Sequence, residues 1–216
     1  MGIREDRIFI SKALTLAGAG KGVVSPNPKV GCVLVNNGKI VGEGYHKKFG
    51  GKHAEVVAIQ NAGRGLAGST AYINLEPCSI EGKTPPCTKT LIENKIKKVV
   101  ISMLDPNPKI KGKGVQELKK NGIEVLSGIF EIQARELNKG FIKWITKGIP
   151  WVIGKAAQSF NGYLGMDSSS QTRITNQQCK EDVHRLRSGV DCVLVGRQTI
   201  LTDDPELTVR DIAGRS

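Results

Sequence analysis

Apolar and polar positions alternate along this chain in two distinct periods. Residues 3–20 repeat at helical spacing, with Ile8, Ala13, Leu16 and Ala17 among the apolar positions, and the pattern stops in the glycine-rich stretch 18–22. Two apolar runs follow, 30–35 and 40–45, on either side of Asn36-Asn37-Gly38-Lys39, a strong hairpin signal. Beyond them the periods take turns. Helices are predicted over 54–62, 86–94 (opened by proline), 114–121 and 131–138, and strands over 71–75, 99–103 and 123–126. A helix, a hairpin and then alternating helices and strands predict an α/β layered sheet with helices on both faces.

The segment 146–150 reads as a linker. After it, 151–156 and 192–196 are predicted as strands and 177–186 as a helix, so a second unit begins near residue 150. About 70 residues are a small allowance for an independent core. No run approaches the length of a membrane span, and the N-terminus is charged from Arg4 onward, so a cytoplasmic protein without a membrane partner is expected.

The net charge of +12 invites a polyanion, but the lysines are scattered and few aromatic residues stand between them to stack on bases. They read as a solvated surface, with no nucleic-acid partner expected, and would equally suit a small phosphorylated substrate. Five cysteines without an export signal argue against a disulfide framework and for metal or catalytic use of some of them. Cys32, Cys179 and Cys192 read as small buried apolar residues.

Cys78 and Cys87 read differently, together with His53-Ala54-Glu55. One imidazole and two thiolates are the three protein ligands of a catalytic zinc site with one position left for water. Such an ion makes water a nucleophile near neutral pH. Glu55, two residues after His53 at a helix start, can carry a proton without ligating the metal. The pattern H-x-E followed by P-C-x-x-C marks nucleobase deaminases. His53, Glu55, Pro77 and Cys78 match it, while eight residues rather than two separate Cys78 from Cys87.

With Pro26-Asn27-Pro28-Lys29-Val30-Gly31, Gly42-Glu43-Gly44-Tyr45-His46, Thr84-Pro85-Pro86-Cys87 and Asp105-Pro106-Asn107-Pro108, these motifs carry a resemblance over residues 1–146. The segment resembles the deaminase domain of the bifunctional riboflavin-biosynthesis deaminase/reductases, whose own form has the long cysteine spacing. The resemblance implies a three-layer α-β-α cytidine-deaminase-like domain. It also implies zinc-dependent hydrolytic deamination of 2,5-diamino-6-ribosylamino-4(3H)-pyrimidinone 5′-phosphate to 5-amino-6-(5-phosphoribosylamino)uracil. His53, Cys78 and Cys87 would hold the metal, Glu55 would be catalytic, and Asn27, His46, Lys83 and Asn107 would bind substrate, Lys83 at the phosphate. Ile80 stands where the family usually has histidine, with Glu81 beside it.

Residues 150–216 resemble the start of that family's reductase domain, which is dihydrofolate-reductase-like and uses NADPH. The resemblance assigns Arg187, Leu207 and Arg210 to substrate, and Ala157, Thr199 and Asp203 to the cofactor. Arg173 and Asn161 depart from the usual tryptophan and aspartate. Because the chain ends at Ser216, it is expected to lack reductase activity alone, and self-association is left open. Two further readings stay beside the first: a tRNA adenosine deaminase, and a zinc-stabilised protein without activity.

Overall fold

The computed structural model describes residues 2–63, 65–81, 85–165 and 172–210. The chain divides into two compact units, Met1–Trp151 and Val152–Ser216.

The first unit is a five-stranded sheet of order β2-β1-β3-β4-β5. Its strands are β1 (Gly31–Asn36), β2 (Lys39–Tyr45), β3 (Thr70–Leu75), β4 (Lys98–Met103) and β5 (Glu124–Ser127). The predicted hairpin joins β1 to β2 antiparallel, and Asn37 and Gly38 both take positive φ, as a tight two-residue turn requires. β1 also pairs antiparallel with β3, while β3, β4 and β5 run parallel. Every residue of β3 is buried, the pattern of a strand covered on both faces.

Helices supply those covers. α1 (Ile3–Gly18) lays Ile10 and Ala13 on Val33, Val35, Tyr72 and Val100. On the opposite face α2 (Ala54–Ala62), α3 (Cys87–Glu93) and α4 (Lys113–Lys120) contribute Ala54, Ala58, Leu91 and Leu118 to a core with Leu34, Ile73 and Ile101. α1 is further fixed by a buried polar link: the Tyr72 hydroxyl donates to Asp6 Oδ1 at 2.8 Å, and Lys98 Nζ lies 3.1 Å from Asp6 Oδ2. Among the described residues no helix is long and apolar enough to cross a membrane.

Two helices, not one, follow β5: α5 (Glu131–Leu137) and α6 (Lys139–Lys147). The second was not expected. Its residues 146 and 147 belong to the stretch read as a linker, and Gly140 near its start weakens the helical signal.

The second unit contains α7 (Gln177–Arg187), capped by Asn176 accepting from the Cys179 amide, and α8 (Arg197–Asp203). The predicted strands at 151–156 and 192–196 do not form; both segments lie outside any helix or strand. Their apolar residues carry strand propensity, but strand propensity expresses packing on a neighbouring strand, and neither segment has one to pair with among the described residues. Cys179 and Cys192 are exposed, contrary to expectation, and only Cys32 of the three is buried.

Candidate metal centre and pocket

The carboxyl end of β3 is where the chemistry collects. α2 begins at Ala54 with His53 in extended backbone as its N-cap, and α3 begins at Cys87 behind Pro86. The loop leaving β3 brings Cys78 between them. It is held by α3, whose Thr88 amide donates to the Cys78 carbonyl at 3.1 Å and whose Cys87 amide reaches Cys78 Sγ at 3.4 Å.

His53, Cys78 and Cys87 each offer a ligand atom, all within 4.8 Å of one another. Zinc held tetrahedrally by imidazole and thiolate places nitrogen and sulfur about 3.5 Å apart. Here His53 Nδ1 lies 3.1 Å from Cys87 Sγ and 3.6 Å from Cys78 Sγ. The donor set therefore fits that ion, both in chemistry and in spacing. The two thiols are electrostatically unequal: the hydrogen bond from Cys87 draws Cys78 down to about 4, and the same bond pushes Cys87 up. Glu55 is buried beside them, and burial first, then Cys78, raises its carboxyl above the ordinary range.

A cavity of about 230 Å³ opens on this cluster. Its polar wall includes Asn27, His46, Glu55, Asp105 and Asn107, and its apolar wall includes Pro28, Val30, Ile110, Phe141 and Ile145. His46 Nδ1 lies 3.0 Å from the Lys52 carbonyl, which can only accept, so that nitrogen carries the proton. Nε2 is thereby left to accept from Asn27 Nδ2 at 3.1 Å. Burial lowers the His46 pKa and keeps this neutral tautomer.

Asn107 depends on a residue whose role the motifs did not disclose. Glu76, 3% exposed, accepts from the amides of Asp105, Gly112 and Val115 at 2.9–3.0 Å. Asp105 Oδ1 in turn accepts from the Asn107 amide at 2.8 Å. One buried carboxylate thus shapes the loop that lines the cavity. The nearest sequence signal was an acidic residue directly before Pro77-Cys78, with Gly112 at positive φ and Gly114 where a Cβ would meet the Pro77 carbonyl at 2.2 Å.

Of the substrate residues named from sequence, Asn27, His46 and Asn107 line one cavity with His53, Glu55 and Cys78. Lys83 lies outside the described residues. Ile80 is exposed in the cysteine loop. In the second unit Arg187 donates to the Thr208 carbonyl at 3.2 Å, and Arg210 pairs with Glu206. Leu207 has positive φ and is half-buried, as are Ala157, Thr199 and Asp203, the last closing α8.

A layered sheet with an imidazole and a thiol at two helix starts, and a second thiol on the loop between them, is the arrangement of the zinc-binding deaminases, and residues 3–103 match the cytidine and deoxycytidylate deaminase zinc-binding region. Residues 150–216 match the RibD C-terminal domain. The chain belongs to the RibD family of riboflavin-biosynthesis deaminases. It is 52% identical over 146 residues to the diaminohydroxyphosphoribosylamino-pyrimidine deaminase of Buchnera aphidicola subsp. Schizaphis graminum, covering 68% of this chain and 99% of that protein. It is 48% identical to the riboflavin biosynthesis protein RibD of Aquifex aeolicus, over 96% of this chain and 59% of that one. The solved RibD of Acinetobacter baumannii (form 1) superimposes with a TM-score of 0.94 at 42% identity, over 98% of this chain and 60% of that one. The chain thus spans less than two thirds of the length of these RibD relatives.

Proposed function

We propose that residues 1–146 catalyse hydrolytic deamination of 2,5-diamino-6-ribosylamino-4(3H)-pyrimidinone 5′-phosphate, yielding 5-amino-6-(5-phosphoribosylamino)uracil and ammonia. One observation carries this reading: a zinc-compatible donor set and a buried glutamate share a cavity with three amide or imidazole side chains suited to a pyrimidine edge. His53, Cys78 and Cys87 would hold zinc, and the bound ion supplies the Lewis acidity that makes water a nucleophile at neutral pH.

The remaining work falls to the chain. Glu55 takes a proton from the attacking water and returns it to the departing amine, the remaining hydroxyl proton passes to the ring nitrogen, and the water oxygen stays as the ring carbonyl while the amino group leaves as ammonia. Asn27 and His46 act as a hydrogen-bonded pair, with the His46 tautomer fixed by Lys52, and read the ring edge from one side. Asn107 reads it from another, on the loop that Glu76 holds. Lys83, in the loop between the cysteines, is proposed to meet the phosphate as a compact point charge.

For residues 150–216 we carry the family assignment as a proposal, with Arg187, Leu207 and Arg210 toward substrate and Ala157, Thr199 and Asp203 toward NADPH. The deaminase reading is tested by ammonia release from the pyrimidinone phosphate by the zinc-loaded chain. Release from a tRNA anticodon stem instead would replace it with the nucleic-acid reading.

A further inference from the structure

α6 is held in the molecule in an unusual way. None of its residues is fully buried, and it packs chiefly against α5. Yet it presents Phe141 and Ile145, one turn apart and both half-buried, to the cavity that His53, Glu55 and Cys78 line, while Ile142 rests on the Leu75–Met103–Ala134 cluster. A helix with so little apolar anchorage needs another restraint to hold two side chains in register with a small ligand.

Asn138 supplies it. This residue is the N-cap of α6, but its side chain does not cap the helix. It is 3% exposed and pairs with the backbone of Lys29, accepting from the Lys29 amide at 2.8 Å and donating to the Lys29 carbonyl at 3.0 Å. Asn74 at the end of β3 completes the arrangement, donating to the same carbonyl at 2.9 Å and accepting from the Gly31 amide at 2.8 Å. Two buried amides thus clamp the 26–31 segment between β3 and α6. That segment carries Asn27 and Pro28 into the cavity.

We propose that α6 is the specificity wall of the pocket: Phe141 and Ile145 pack against the face of the pyrimidine ring, and Asn138 positions them relative to Asn27. This rests on the deaminase reading above and adds to it the residues that select a planar ring. Asn138 touches no reacting atom; it is a positioning residue. The ring face is buried alike in ground and transition states, so the contact acts on binding and not on the chemical step.

The test is steady-state ammonia release by the zinc-loaded chain and its variants, with zinc content and melting temperature measured on each. Phe141→Ala is expected to raise KM at least about tenfold with kcat within about threefold, since removing an apolar contact of this size costs one to two orders in binding. Phe141→Leu is expected to recover most of that loss. Asn138→Ala is expected to raise KM in the same way, and Asn138→Asp, which keeps the acceptor for the Lys29 amide, to recover part of it. An unchanged KM in Phe141→Ala would overturn the wall, and Asn138→Ala that lowers only the melting temperature would overturn the clamp. The wild-type rate separately tests the deaminase reading. Should it be nil, amide exchange still decides the clamp: Asn138→Ala is expected to speed exchange at Lys29 and across 139–147, and unchanged exchange would refute it.

Discussion

Three side chains are proposed to hold the metal, and Cys87 is the most deeply buried of them. Cys87 is wholly buried at the start of α3, so Cys87→Ser exchanges a soft thiolate for a hydroxyl with no room to retreat. Zinc stoichiometry measured after dialysis is expected to fall to near zero, while the fold, judged by far-UV circular dichroism, persists. His53, Glu55, Cys78 and Cys87 were legible in the sequence because metal and proton chemistry restrict residue type so narrowly. Glu76, Asn74 and Asn138 were not. Each is a common polar residue whose partners lie 29 to 109 positions away, and nothing local marks it as buried.

At the scale of elements, α2 sits against β2 through glycine. A Cβ on Gly44 would come within 2.5 Å of the Ala58 amide and 2.6 Å of the Ala54 carbonyl, both backbone atoms of α2. Gly44→Ala is therefore expected to cost about 1–3 kcal/mol in urea unfolding and to weaken zinc binding, because the displaced helix begins directly after His53. Gly2→Ala, with open space around it, is the control and is expected to change stability by less than about 0.5 kcal/mol. A Gly44→Ala variant as stable as the parent would show that α2 can slide without penalty. The elements of the first unit were legible wherever period and length agreed, from the Asn37-Gly38 turn to β4. α6 was hidden because Phe141, Ile142, Trp144 and Ile145 crowd one short stretch behind Gly140. The expected strands of the second unit did not form because apolar runs pair only beside a neighbouring strand, and none stands beside them among the described residues.

For the molecule as a whole, a bound ion would cross-link α2, α3 and the loop leaving β3. Ligands that bind only the folded state add stability by mass action, about 4 kcal/mol at a thousandfold excess over Kd. Stripping zinc with a chelator is thus expected to lower the melting temperature by several degrees, and readdition of zinc to restore it. An unchanged melting temperature would mean that the three donors hold no metal. The division into two units near residue 150 was visible as a change of composition and motif. Within the second unit the helix predicted over 177–186 is present as α7, whereas α8 was not foreseen and the segments 151–156 and 192–196 form no strand.

Glu55 is proposed to move protons for a hydrolysis at a zinc centre. Ammonia release from the pyrimidinone phosphate by Glu55→Gln, compared with the parent at equal zinc content, tests it most directly. A fall in kcat of about a hundredfold or more, with zinc retained, is expected. A Glu55→Gln variant that keeps both its zinc and its activity would contradict it.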